Sequence, residues 1–290
     1  ALRSAGWAGN VFIVDDNFIG NKKKLKSEIL PAFWVWSKNN NFPFLFNTQT
    51  SINLADDDEL IDLMVAANFI TVFIGIETTN ENSLTECGKS QNRSRDLVAS
   101  VRKLQNMGLE VQAGFIIGFD NDTQSCFQDM VNFIQKSGIV TAMVGLLHAP
   151  LGTKLYARLA KEDRLTGNFG GNNTDYSINF TPKMNQKILV EGYRKVVSTI
   201  YSPRQYCERV KTFLREYRPA SHNRVKLRSE HVGALLGSFW MLGVKEKGRT
   251  DYWRLMIWTM LKRPRLFTVS VSLAIYGFHF RKVAEAGIPS

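Results

Sequence analysis

The chain has 290 residues, of which 44% are hydrophobic and 22% charged, with three cysteines and a formal net charge of +11. That content excludes a disordered chain and allows one large core, or a core with an appendage. Cys87, Cys126 and Cys207 show no C-x-x-C or C-x-x-x-C-x-x-C spacing, which excludes a disulfide framework and a self-contained zinc or iron–sulfur site. So few cysteines fit a reducing cytoplasm. The charge is uneven: residues 1–200 carry 20 Lys and Arg against 20 Asp and Glu, and the remaining 90 residues carry the whole excess. A neutral front and a basic back suggest two units with different surroundings.

The first ten residues lack the basic and apolar regions of a signal peptide. They read instead as the last turn of a helix ending at Gly6, so the chain is expected to begin inside a longer protein. A strand follows at 11–16, then a helix at 22–40 with Leu25, Ile29, Phe33 and Trp36 at helical spacing. The next strand, 44–54, carries Gln49 and Ser51, and Asp56 or Asp57 caps a helix reaching Ala67. A strand at 71–77 leads into a turn-rich passage, 78–92, and a helix at 93–107. Strand 111–119, helix 123–136, strand 141–147 and helix 154–162 complete the alternation. Beyond a loop at 167–175 only helical patterns remain, at 185–201, 204–217, 229–243, 250–262 and 266–284.

Five strands alternating with helices give an α/β class, with a doubly wound sheet, a full barrel and a partial barrel as the choices. About 165 residues show the repeat, against about 250 for a full barrel, so a partial (β/α) parallel barrel over 1–165 fits best. A basic, mostly helical C-terminal extension would occupy 166–290. Its most apolar stretches, 232–244 and 266–280, fall short of the roughly 18 residues that span a bilayer. They read as buried helices, with a membrane-peripheral role left open by the flanking Lys262, Arg263, Arg265, Arg281 and Lys282.

Three apolar strands stop on carboxylates: Val11 to Asp15 and Asp16, Val72 to Glu77, and Gly114 to Asp120. Continuous apolar runs suit strands covered on both faces, and α/β folds keep their chemistry at the rim where such strands end. Asp16 or Asn17 could equally cap the following helix, and Glu77 could sit in an ion pair. Gly75, Gly114 and Gly118 inside the strands point to close approach of a ligand or another backbone. His148 at the mouth of the last strand could touch substrate, or merely be solvated.

These motifs, in this order, resemble the radical S-adenosylmethionine superfamily, in the branch whose members carry an N-terminal cobalamin-binding domain. The likeness lies in Phe12-Ile13-Val14-Asp15-Asp16-Asn17-Phe18, Phe73-Ile74-Gly75-Ile76-Glu77-Thr78, Gly114-Phe115-Ile116-Ile117-Gly118 and Ala149-Pro150-Leu151-Gly152-Thr153. The resemblance implies a barrel of about six strands, five of them present, binding S-adenosylmethionine at its C-terminal rim. Asp15 and Asp16 would hold the methionine ammonium, and Glu77 the ribose hydroxyls or the methionine end. Gly114, Ile116 and Gly118 would lie along the adenine, with Gln49 and Ser51 lining the same cavity. The family's [4Fe–4S] cysteines and first strand are not in this chain, and its three cysteines cannot replace them. The resemblance therefore implies the later part of such an enzyme, inert alone, with the cluster and cobalamin held by a missing N-terminal part. The substrate would be an unidentified small molecule, reached by adenosyl-radical chemistry or methyl transfer. Two rivals remain: a βα enzyme whose acids hold a divalent metal, and a basic tail that docks on an anionic membrane or nucleic acid.

Overall fold

The computed structural model describes residues 1–167, 177–219 and 229–286, the side chains of 229–231 excepted. Strands β1 (Gly9–Ile13), β2 (Phe44–Thr50), β3 (Phe69–Glu77), β4 (Glu110–Ile117) and β5 (Ala142–Leu146) pair in chain order, every pair parallel. This is the half-barrel expected from the strand–helix period. Helices α1 (Lys22–Lys24) and α2 (Leu30–Asn39), joined by a π turn, follow β1, and α3 (Asp58–Ala66) follows β2. The pair α4 (Glu81–Glu86) and α5 (Leu97–Asn106) follows β3, α6 (Ser125–Ser137) follows β4, and α7 (Lys154–Lys161) follows β5.

Local chemistry sets the boundaries. Asp57 and Asp96 accept hydrogen bonds from the backbone of Leu60 and Ala99, so α3 and α5 start there. The helix read from residue 93 therefore begins later, at Leu97. The passage read as turns holds a short helix, α4, capped by Asn80, which accepts from Asn82 and Ser83 N–H groups. Strand β2 stops at Thr50 rather than 54, because a 3₁₀ turn, Ile52–Asp56, begins after Ser51. The residues outside the described set include most of the loop read at 167–175 and the last four positions.

One face of the sheet is buried under helices. Phe44, Phe46, Phe69, Val72, Ile74, Val111, Ala113, Phe115 and Ile117 alternate along β2, β3 and β4 and pack into one core with Leu30, Leu60, Met64, Val101 and Ile134. Asn68, at φ 74°, ends α3 and donates its buried amide to Phe44 O, fixing the return from α3 into β3. The outer edge of β1 has no strand beside it among the described residues.

The C-terminal helices close the other edge. They are α8 (Gln186–Ile200), α9 (Pro203–Glu216), α10 (Ser229–Trp240), α11 (Arg249–Lys262) and α12 (Phe267–Ala286), with a π turn, Met241–Lys245, between α10 and α11. Carbonyls 142 and 144 of β5, which face away from β4, accept from the hydroxyls of Tyr201 at 2.8 Å and Tyr193 at 3.2 Å. Arg209 of α9 is fully buried and donates to Val140 O, Ile200 O and the Gln135 side chain, with its guanidinium over Tyr201 and Tyr206. The stretch 266–280 is buried as expected, through Leu266, Val271, Leu273 and Ala274. The stretch 232–244 is not: Val232, Leu236, Trp240 and Val244 are exposed. No helix among the described residues is long and apolar enough to cross a membrane.

Burial raises the carboxyl pKa of Glu110, at the start of β4, despite a 3.2 Å hydrogen bond from Gln112. Burial, and then the Glu110 charge, raise the phenols of Tyr217, just after α9, and Tyr276, midway along α12. Folded Glu110 keeps its proton above the ordinary value of 4.5, so the fold loses stability as pH rises through that value. Glu110→Gln is expected to raise the melting temperature at pH 7 but not at pH 3. Equal shifts at both pH values in thermal denaturation would contradict this.

Candidate functional site

The face of the sheet turned away from the core helices is open and carries the candidate site. In a parallel sheet, residues in register on adjacent strands share a face. One level brings Gln49, Phe73 and Gln112 side by side. The next, nearer the C-terminal rim, brings Gly75, Gly114 and Met143 together. The open face thus offers two amides, an aromatic ring and a pair of adjacent glycines. Gln49 and Gly114 were expected here. Phe73 and Gln112 were missed: Phe73 is hidden inside an apolar run, and Gln112 lies before the Gly114–Gly118 motif that drew attention to its strand.

The two glycines have a specific cause. A side chain at Gly114 would meet the Phe73 ring at 3.1 Å, and one at Gly75 would collide with the Glu77 carboxylate. Each glycine makes room for a neighbour that leans across it. Glu77 ends β3 in the left-handed region at φ 64°, where the register with β4 slips by one residue. Such a conformation is costly for a residue other than glycine and tends to mark functional positions. It folds the Glu77 carboxylate back over Gly75, into an ion pair with Lys89 at 2.8 Å. Both partners are largely covered, with side chains 15% and 33% exposed, so a ligand cation or hydroxyl reaching Glu77 would have to compete with Lys89. The buried Asn92 amide holds this strand end by donating to Gly75 O and Ile76 O.

The remaining expected residues scatter around this centre. Asp15 and Asp16 lie in the exposed turn after β1, where the Asp15 carboxylate accepts from Asn17 N at 2.9 Å. Neither caps the next helix; Asn21 does. Ser51 lies past the end of β2 and is bound to the Asn17 side chain, through both its N–H at 3.0 Å and its hydroxyl. Ile116 points to the open side and packs beneath a small rim cluster of Phe119, Leu147, Ala149, Leu159 and Phe180. Gly118 lies apart from the open face: it takes φ 113° and sits against Leu189 and Leu147. Its glycine is demanded by backbone conformation and packing. His148 is half-buried just beyond β5.

Asp120 is committed elsewhere. Its carboxylate, 5% exposed, is clamped by Arg164 at 2.7 Å and Arg158 at 2.6 Å, and Arg158 also reaches Glu86. The Arg164 guanidinium, outweighing the effect of burial, holds the Asp120 pKa down to about 2. Asp122 is also occupied, accepting from Gly118 N, Phe119 N and the Ser83 hydroxyl. Of the strand-end acids, the Asp15–Asp16 pair is exposed, Glu77 lies over Gly75 beside the open face, and Asp120 is held by arginines. Among the described residues no three His, Cys, Asp or Glu side chains gather to hold a metal. Burial pushes the thiols of Cys126 and Cys207 up to about 12 and raises that of Cys87, so none offers a ready thiolate.

Comparison with known proteins bears directly on this arrangement. The chain is 37% identical over 287 residues to an uncharacterized methyltransferase of Synechocystis, covering 98% of this chain and 53% of that protein. It is 27% identical over 264 residues to hopanoid C-2 methylase of Rhodopseudomonas palustris, covering 89% of this chain and 49% of the methylase. A third relative, bacteriochlorophyllide d C-12(1)-methyltransferase of Chlorobaculum tepidum, is 28% identical over 158 residues, 54% of this chain and 34% of that protein. Along most of its length the chain is thus similar to proteins named as methyltransferases or methylases. It spans about half the length of the first two relatives. Residues 153–288 match a family described as a domain of unknown function, DUF4070. A solved radical S-adenosylmethionine methyltransferase, TsrM from Kitasatospora setae, with cobalamin and a [4Fe–4S] cluster bound, superimposes with a TM-score of 0.49. That match has 14% identity, covers 96% of this chain and 53% of the other, and is too slight to argue from.

Proposed function

We propose that this chain is the later part of a radical S-adenosylmethionine methyltransferase, and that the open face of its half-barrel binds S-adenosylmethionine. The observation that carries this reading is Glu77. A carboxylate held in a costly backbone conformation over Gly75, beside an aromatic ring and two amides, suits a molecule with an ammonium, ribose hydroxyls and a flat purine. Glu77 would take the ammonium or the ribose hydroxyls, displacing Lys89. Phe73, Gln49, Gln112 and the backbone at Gly114 and Ile116 would meet the nucleoside. Asp15 and Asp16 would reach the ligand from the rim. When bound, S-adenosylmethionine supplies the methyl group and the radical chemistry, while the protein orients it and keeps water out. The methyltransferase and methylase names of the relatives favour methyl transfer over other radical outcomes, onto an unidentified small molecule.

The residues of this chain do not fit an iron–sulfur cluster, because its three thiols are scattered and raised in pKa, and the family resemblance gives cobalamin to an N-terminal domain. Those groups would belong to a preceding part of the same protein. The bare edge of β1 and the half-length coverage of the relatives support such a part, whose first strand would pair with β1. The divalent-metal reading has less behind it, since Asp120 is held by two arginines and Glu77 by Lys89.

Equilibrium dialysis of S-adenosylmethionine against the full-length protein tests the reading. Glu77→Gln is expected to weaken binding about tenfold or more, the value of one charge-assisted hydrogen bond. An unchanged affinity would remove Glu77 from the site.

A further inference from the structure

We propose that the exposed apolar face formed by α10, the π turn and α11 is a docking surface for an anionic lipid membrane. Residues 232–244 contain no ionisable side chain, yet most of them are exposed. Val232, Leu236, Trp240 and Val244 form one stripe, and Trp253, Ile257 and Leu261 form a second along α11. The stripes meet where Trp253 lies against Gly243 and donates from its indole to Gly243 O at 2.9 Å. Large apolar side chains gathered in this way on a chain with ample polar surface mark a contact site.

The border of the face says what covers it. Lys245 and Lys247 lie between the two helices, Arg249 and Lys262 are the first and last residues of α11, and Arg265 follows it, all without an ion pair among the described residues. The acids of this stretch are spoken for: Glu246 is held by Arg281 and Lys282, and Asp251 lies 3.7 Å from Arg254. Lys245 reaches over the Trp240 ring, which sets a cation beside an indole. Tryptophans at the edge of an apolar stripe with a cationic rim match the headgroup region of an anionic bilayer. A nucleic acid would need the cations but not the stripe, and a protein interface of this kind is depleted in lysine. With no helix among the described residues long and apolar enough to cross the bilayer, the face would lie on the surface.

The test is co-sedimentation of the full-length protein with vesicles of phosphatidylcholine, alone or mixed with phosphatidylglycerol. Pelleting is expected only with phosphatidylglycerol, and is expected to fall in about 0.5 M salt. The triple variant Lys245→Glu, Lys247→Glu, Arg249→Glu is expected to partition at least about tenfold less. Leu236→Ser with Trp240→Ser should do the same, and circular dichroism checks that both variants fold. The proposal is overturned by no pelleting, by equal pelleting on neutral vesicles, or by variants that bind as the parent does. It is also overturned if the face proves to be covered by a second copy of the chain, seen as a dimer that ignores vesicles and that the serine variant dissociates.

Discussion

Arg209→Met is expected to destabilise the folded chain by roughly 3 kcal/mol or more, because it strands several buried acceptors, each worth about 1–3 kcal/mol. The guanidinium gathers Val140 O just before β5, Ile200 O at the end of α8 and Gln135 Oε1 on α6. Methionine fills much of the same volume but donates to none of them, so the loss reports the hydrogen bonds rather than a cavity. Burial lowers the Arg209 pKa, so the charged form is held there by its partners and by the faces of Tyr201 and Tyr206. Urea unfolding checks it. A cost below about 1 kcal/mol would mean that α8 and α9 dock on the half-barrel without this residue.

Asp120→Asn carries the second large effect, with a pH signature of its own. The carboxylate is held down to about 2 against an ordinary 3.8, and is nearly buried between Arg158 and Arg164. That difference corresponds to about 2 kcal/mol of stability. Because the folded pKa is depressed, the contribution is present above the ordinary value and disappears as pH falls toward 2. The variant should therefore be weaker than the parent at pH 6 and close to it near pH 2. A pH-independent difference in unfolding free energy would show that the loss is steric. In either case S-adenosylmethionine binding should persist, since Asp120 faces the arginines and not the open face.

The pair Asp120 and Glu77 shows how far the sequence could be read. Both close an apolar strand with a carboxylate, and they look alike in one dimension. Their difference is made by residues far along the chain: Arg158 and Arg164 lie 38 and 44 positions after Asp120. The half-barrel itself was legible, because uninterrupted runs such as Val72–Ile76 followed by capped helices leave few other folds. The cause of each glycine was not. Gly75 and Gly114 are cleared by Glu77 and Phe73, and Gly118 by a positive φ, whereas the sequence offered one explanation for all three. Helix α10 was misjudged for a related reason. An apolar stretch too short to cross a bilayer reads as buried, and nothing in its own residues says that its outer side stays bare. Helix α4 was missed because its polar sequence carries no apolar stripe and its start depends on one asparagine cap.

Photo-crosslinking of labelled S-adenosylmethionine to the full-length protein, followed by peptide mapping, tests the proposed binding face most directly. Label is expected on peptides containing Gln49, Phe73 to Glu77, and Gln112 to Ile116, the three central strands of the open face. Label confined to the helices after β5, or absent from all three strands while binding is intact, would contradict it.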